Sequence, residues 1–381
     1  MKVLVTGGAG FIGQHLCRHL LKSGHRVTVL DNFSSQVHGE RRCLANDLSS
    51  ADLIVGDVAD KYVMQYALHG HEAVVHLAAE TGTGQSMYEV VRYERTNIGG
   101  TAVLAEYLAN TKGHKIEKVV VASSRAVYGE GSYKCDAHGV QYPRARKQSD
   151  MERRRYDPLC CDCGDALAVM PTPETAPLRP ESFYALTKQV QEQMILMYAR
   201  VLGISAFALR YQNVYGPGQS LSNPYTGILA IFCNRAIRQE PLYVFEDGHE
   251  SRDFVYVADV VRATARCLDP MVTGIEAVNI GSGVAVTIKH VAEEVVDYLS
   301  SSSPIEVNHS FRIGDIRSSL ADLTKAKSFL DFTPSWSFPV GLREFLSWAA
   351  PFNKSESRYE VALSELRLRG LLIGCNQALG S

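Results

Sequence analysis

The chain begins with KVLVTGGAGFIG, residues 2–13, and no other stretch restricts the possible folds so tightly. The valine–leucine run reads as a buried strand, and FIGQHLCRHLLKSG reads as the helix after it. Between them, Gly7, Gly10 and Gly13 permit a tight turn, close approach of backbone to a phosphate, and close packing of helix on strand. A helix starting there aims its free first-turn N–H groups at whatever anion fills the turn. The next strand, HRVTVLD, ends in Asp31, a carboxylate placed to accept from ribose hydroxyls. Strand, glycine turn, helix, strand and acid together predict a dinucleotide site at Gly7, Gly10, Phe11, Ile12 and Gly13. Asp31 would repel a 2′-phosphate, and neighbouring Asn32 supplies no cation for one, so NAD is expected rather than NADP. Asp57 and Val58, after the strand ADLIVGD, are candidates for the adenine; an Asp57 that merely caps the next helix fits the pattern equally well.

The same rhythm continues through EAVVHLAA, a helix from about 96 to 110, and IEKVVVASS. Near-continuous β-branched runs separated by helices imply a parallel sheet covered on both faces. The expected fold is therefore α/β, a Rossmann-type doubly wound parallel sheet with a smaller mixed α/β substrate-binding domain. Residues 1–215 are assigned to the first and 216–350 to the second. An irregular insertion at about 130–178 interrupts the first, and a tail at 351–381 carries one amphipathic helix of unread purpose.

Composition excludes several classes of partner. With 381 residues and a formal net charge of -2, the chain has no basic excess for nucleic acid. It has no apolar run long enough for a bilayer. Nine cysteines with no export signal at the N-terminus point to reduced thiols or a metal site, and to the cytoplasm.

TGGAGFIG, HLAA, SSRAVYG, SFYALTK, RYQNVYGP and GHESRDFVYVADV occur in the order seen in extended short-chain dehydrogenase/reductases that act on nucleotide sugars. The chain resembles that NAD-dependent epimerase/dehydratase family over roughly residues 1–345, outside the insertion. The resemblance implies Tyr184 as catalytic acid/base, Lys188 as its partner and as a holder of the nicotinamide ribose, and Ser124 as the hydroxyl on the reacting sugar oxygen. Position alone leaves Ser123 as an alternative to Ser124. It implies a supporting role for Asn97 beside the lysine, diphosphate contacts from Asn213, Arg252 and Arg312, and a sugar lining from Thr81 and Thr83. Lys188 is expected to ease ionisation of Tyr184: a phenol needs roughly 4 kcal/mol to ionise near neutrality, and a cation at about 5 Å offers on the order of 3 kcal/mol.

Related 4,6-dehydratases carry an acidic pair directly after the serine, where this chain has Arg125 and Ala126. A permanent cation and a methyl cannot do that acid/base work. The expected activity is therefore 4-epimerisation of a nucleotide-diphosphate sugar by transient oxidation. A sugar-nucleotide oxidase, a dehydratase or a non-catalytic NAD sensor is the alternative. Arg125 either touches substrate or pins the insertion. QSLSNPYTG and the cysteine-bearing insertion resemble dTDP-L-rhamnose 4-epimerases more than the shorter UDP-glucose 4-epimerases. The helices near 96–110 and 184–202 resemble the family's dimer contact, which implies a homodimer.

Within the insertion, Cys135 and His138 form C-x-x-H, and Cys160 and Cys163 form C-x-x-C. Two such pairs match structural zinc; reduced cysteines in a loose loop match them as well. Cys161 obscures the register of the second pair.

Overall fold

The structure, a computed structural model, describes residues 1–221, 223, 225, 227–352 and 359–374. Ser222, Pro224 and Thr226 of QSLSNPYTG lie outside the described residues. The β-branched runs become seven parallel strands: β1 (Lys2–Thr6), β2 (Arg26–Asp31), β3 (Asp52–Val55), β4 (Ala73–His76), β5 (Lys118–Ser124), β6 (Ser205–Tyr211) and β7 (Ile275–Ile280). Their order is β7-β6-β5-β4-β1-β2-β3. The chain winds outward from β1 in one direction and then from β4 in the other. The crevice at their carboxyl ends is where such sheets bind ligands.

Alternation along each strand feeds two cores. Val3, Val5, Val75 and Val120 bury on one face with α1 (Phe11–Lys22). Leu4, Val74, Val119 and Val121 bury on the other, under α2 (Gly100–Asn110) and α3 (Phe183–Leu202). Each such side chain contributes about 1.5–3 kcal/mol, so β-branched runs suffice to specify the sheet.

Beyond residue 216 the chain contributes to both layers. Val257, Val260 and Val261, on the helix Val257–Arg266, join the core beneath α1, and β7 pairs with β6 at the sheet edge. The chain thus returns to the first layer between 257 and 280. What remains builds the smaller lobe around Phe232, Phe254, Phe338 and Phe345. Its central sheet comprises Asn213–Tyr215, Ser251–Tyr256 and Ala285–Thr287.

The insertion has a three-stranded antiparallel sheet, Tyr133–Cys135 lying between Gly139–Gln141 and Ala168–Val169. Its apolar residues bury in three small groups: Tyr133, Cys135, Cys160 and Leu167 together, Ala176 against Val127 and Tyr128, and Met151 and Tyr156 against Phe311. The tail helix α4 (Tyr359–Leu368) buries Tyr359, Leu363 and Leu366, and Leu372–Ile373 pairs antiparallel with Phe311–Arg312. No described helix is long and apolar enough to cross a membrane.

Candidate active site

The carboxyl ends of β1, β2, β4, β5 and β6 open into a cavity of about 450 Å³. At one end lies the glycine turn. Gly7 has φ +69°, and a Cβ there would stand 2.7 Å from the Ala78 amide nitrogen, on the next strand's loop. A Cβ on Gly13 would collide with the backbone of Gly7 and Gly8. Gly10 precedes α1 with no side-chain cap, and Gly10, Phe11, Ile12 and Gly13 line the cavity. First-turn amides uncovered by any side chain are what a pyrophosphate requires, so the cradle fits a dinucleotide. Asp31 accepts from the amides of Ala9 (3.0 Å) and Phe33 (2.9 Å), and His38 Nε2 lies 3.4 Å from it. Asn32 and Val58 also line this end. Asp57 does not. Its carboxylate accepts from the Ala59 amide at 2.9 Å in a tight turn, and the helix Lys61–Leu68 is capped by Asp60 instead, so neither alternative left open by the sequence holds.

At the other end, Ser182 caps α3 by accepting from the Ala185 amide, and the first turn delivers Tyr184 and Lys188 to the cavity. Ser86 Oγ accepts from the Tyr184 backbone amide at 2.9 Å. The Tyr184 hydroxyl faces Ser124, the last residue of β5, closely enough for that hydroxyl to oppose the rise in its pKa. Ser123 is otherwise engaged: its hydroxyl donates to Glu192 at 2.8 Å, in a buried group with Arg210.

The electrostatics differ from a phenol acidified by Lys188. Burial pushes Tyr184 up, opposed by the Ser124 hydroxyl and by the Arg125 guanidinium. Lys188 Nζ donates to the Ala122 carbonyl at 2.9 Å, 6.0 Å from the Tyr184 ring centroid, and burial brings its pKa down to about 7. Desolvation outweighs pairwise attraction for both groups, as expected for charges removed from water. Arg125 is the cation that bears directly on the phenol. Burial and neighbouring Arg252 lower it only to about 10, so it stays charged at neutrality.

A polar network stands behind α3. Asn97 is fully buried; it bonds the Glu80 backbone and donates to Thr187 Oγ1 at 2.9 Å, next to Lys188 in sequence. It holds the helix rather than the cofactor cavity, where Thr96 is the lining residue. His76 bonds Thr6 and Thr101, and burial holds its pKa near 3, so it serves as a neutral spacer. HLAA contained this histidine; its role depends on contacts the sequence does not display.

The cavity continues past Thr81, Thr83, Arg125 and Asn213 into a second one of about 170 Å³. Arg252 and Arg312 line it, each within 3.2 Å of Asp315. Every expected substrate residue therefore reaches the joined cavities. Three contributors were missed. Tyr359, Leu363 and Leu366 of α4 wall the second cavity. Glu365 accepts from Tyr88 (2.8 Å) and Tyr225 (3.0 Å), tying the tail across the mouth. Glu250 also lines the wall, with one buried oxygen unpartnered, and burial raises it to about 8. The amphipathic pattern of α4 announced a buried face but could not say against what.

Away from the cavities, one atom each of Cys135, His138, Cys160 and Cys163 gather within 4.8 Å of one another. Cys135 Sγ lies 3.5 Å from His138 Nδ1 and 3.7 Å from Cys163 Sγ, and Cys160 Sγ lies 3.6 Å from the same nitrogen. Tetrahedral zinc with ordinary bond lengths has S–N edges of about 3.6 Å and S–S edges of about 3.8 Å. Cys161 faces Gln141 instead, at 3.6 Å.

The NAD dependent epimerase/dehydratase family model matches residues 3–148 and 160–281, omitting only part of the insertion between them. A dTDP-L-rhamnose 4-epimerase of Burkholderia thailandensis is 36% identical over 92% of this chain and 95% of its own. A UDP-N-acetyl-alpha-D-glucosaminuronate decarboxylase of Bacillus cytotoxicus is 33% identical over 91% of this chain and 97% of its own. Among solved structures, the Thermotoga maritima UDP-glucose 4-epimerase with UDP-glucose superposes with a TM-score of 0.73 at 32% identity, covering 91% of this chain and 98% of that one. MoeE5 in complex with UDP-glucuronic acid and NAD has the same TM-score at 30% identity, covering 92% and 99%.

Proposed function

The chain belongs to the NAD-dependent epimerase/dehydratase family, and from that premise we propose a nucleotide-sugar 4-epimerase. The observation that carries this reading is the Ser124–Tyr184 hydroxyl pair with no carboxyl beside it. The acidic side chains lining the first cavity are Asp31, at the adenosine end, and Glu80, held by Arg92 at 2.6 Å, while Glu246, Glu250 and Asp315 line the second, at the diphosphate end. Nothing there can expel a hydroxyl from a neighbouring carbon, so chemistry stays at one carbon.

Ser124 holds the C4 oxygen by hydrogen bond, and Tyr184 as phenolate removes its proton. Gly7, Gly10, Gly13, Asp31 and Lys188 would hold NAD, which would supply a reversible hydride acceptor for C4. The resulting ketone turns between the small walls at Thr81, Gly82 and Thr83, and Tyr184 returns the proton to the inverted alcohol. Arg125 stabilises the phenolate and reaches toward the bridge between sugar and diphosphate; Asn213, Arg252 and Arg312 take the diphosphate itself. A gripped diphosphate with a loosely walled sugar is what rotation demands.

The tetrahedral edge lengths support one structural zinc held by Cys135, His138, Cys160 and Cys163, with no open position for substrate. A homodimer through α2 and α3 fits exposed Met197 and Val201 on α3, and a cytoplasmic setting fits free thiols. Tyr184→Phe tests the assignment: turnover should fall by at least about 10³-fold while NAD remains bound. Near-normal turnover in that variant contradicts it.

A further inference from the structure

The insertion stands outside the chemistry, yet it grips the segment that orients the diphosphate arginines. Arg252 Nη1 donates to the carbonyls of Ser251 (2.8 Å) and Arg317 (3.1 Å). Its Nη2 donates to the Ile316 carbonyl (2.9 Å) and the Asp315 carboxylate (3.0 Å). Arg312 is tied to the same carboxylate at 3.2 Å. Residues 315–317 therefore set where both guanidinium groups stand in the substrate cavity.

The opposite side of that segment belongs to the insertion and its approach. Glu130 accepts from the Arg317 amide at 2.9 Å. Arg146 donates to the Asp315 carbonyl at 3.1 Å, to Glu130 at 3.0 Å and to Glu246 at 2.8 Å. Arg146 and Glu130 are 3% and 1% exposed, so the pair has no solvent to fall back on. Glu130 also receives the Tyr133 hydroxyl at 3.1 Å, and the strand from Tyr133 ends at Cys135. The path from the cysteine–histidine cluster to Arg252 is thus a short chain of buried contacts.

Around the cluster, burial supplies little of that rigidity. Two of the four residues in the apolar group there, Cys135 and Cys160, are themselves members of the cluster, while Met151, Tyr156 and Ala176 bury elsewhere. A metal ion would join the strand at 133–135 to the turn at 160–163, a closure the apolar contacts are too few to hold.

We propose that metal-held Glu130 and Arg146 are positioning residues that fix segment 315–317, so that metal occupancy controls the grip on the nucleoside diphosphate without touching the cofactor cradle. This rests on the nucleotide-sugar reading above. The test is calorimetric binding of UDP, dTDP and GDP to the NAD-loaded protein, before and after zinc removal, with zinc and NAD contents measured on each sample. The expected result is about one zinc per chain, with affinity for the preferred diphosphate falling at least about 10-fold on its removal while NAD content holds. Cys135→Ser should reproduce that loss. Arg146→Lys, which keeps the charge but not the fork, should weaken binding several-fold with zinc retained, and Cys161→Ser should change neither. A protein that binds no zinc, or binds the diphosphate equally well without it, overturns the proposal. Failure of the zinc-loaded protein to bind any of the three diphosphates would instead contradict the nucleotide-sugar reading and remove the proposal with it.

Discussion

The central sheet and the insertion solve the same problem by opposite means. The sheet is ordered by valines and leucines buried on both faces, as at Val3, Leu4, Val119 and Val120. The insertion has only small, separate apolar groups and depends also on buried ions, Glu130 and Arg146 above all, and on the cysteine–histidine cluster. The lesson concerns where failure should spread. Loss of a methyl group from the sheet weakens the whole domain, because its hydrophobic contacts are shared. Loss of one ion from the insertion strips its partners of a buried contact and opens that region first.

The largest contrast is expected from Glu130→Ala. It removes one of Arg146's two carboxylates, Glu246 remaining, and strips the buried Arg317 amide and Tyr133 hydroxyl of their acceptor, at a local cost of about 3–5 kcal/mol. Hydrogen exchange should show lost protection at 130–141 and 160–170, with β1–β5 unchanged; uniform loss across the sheet would erase the distinction. Next comes Gly13→Ala. Its Cβ collides with the backbone of Gly7 and Gly8, so about 3 kcal/mol and most bound NAD should be lost, read by thermal melting and cofactor content.

Glu250→Gln is smaller and depends on pH. The folded pKa is raised to about 8 from 4.5, so the native state holds the extra proton between those values. Wild-type stability therefore falls as pH rises from about 4.5 to 8 and is level above. The glutamine variant should match the wild type at pH 4 and exceed it in stability at pH 9, a difference denaturant melts can resolve. A gain independent of pH would show that the carboxyl is ionised throughout. The smallest effect is expected from Glu365→Gln, which loosens α4 over the substrate cavity. A two- to five-fold rise in KM with kcat unchanged is the predicted outcome; a fall in kcat would place the tail closer to the chemistry.

Legibility in the sequence followed contact range. The glycine turn, Asp31 and the strands could be read because each depends on neighbours within one strand–helix unit. SFYALTK delivered Tyr184 and Lys188 together because one helix turn places them. Ser123 and Ser124 were indistinguishable by position, and the contact that sets them apart is that of Ser123 with Glu192, 69 residues away. Asp57 and Asn97 were legible as polar residues at strand and helix ends, yet both spend their hydrogen bonds on local scaffolding. The return of β7 to the sheet was hidden because parallel pairing carries no local turn signal. The insertion was the least legible region. Its cysteine spacing suggested a metal, but Arg146 reads as one charge among many until Glu130, Glu246 and Asp315 close around it.

The account's central claim is that hydride leaves and returns at a single sugar carbon. Incubating the purified protein with dTDP-L-rhamnose and UDP-glucose in turn, while following proton NMR and absorbance at about 340 nm, tests it directly. Inversion at C4 of one of them, with the cofactor's absorbance unchanged at the end of turnover, is the predicted result. Accumulation of reduced cofactor, or a product that has lost water, would contradict it.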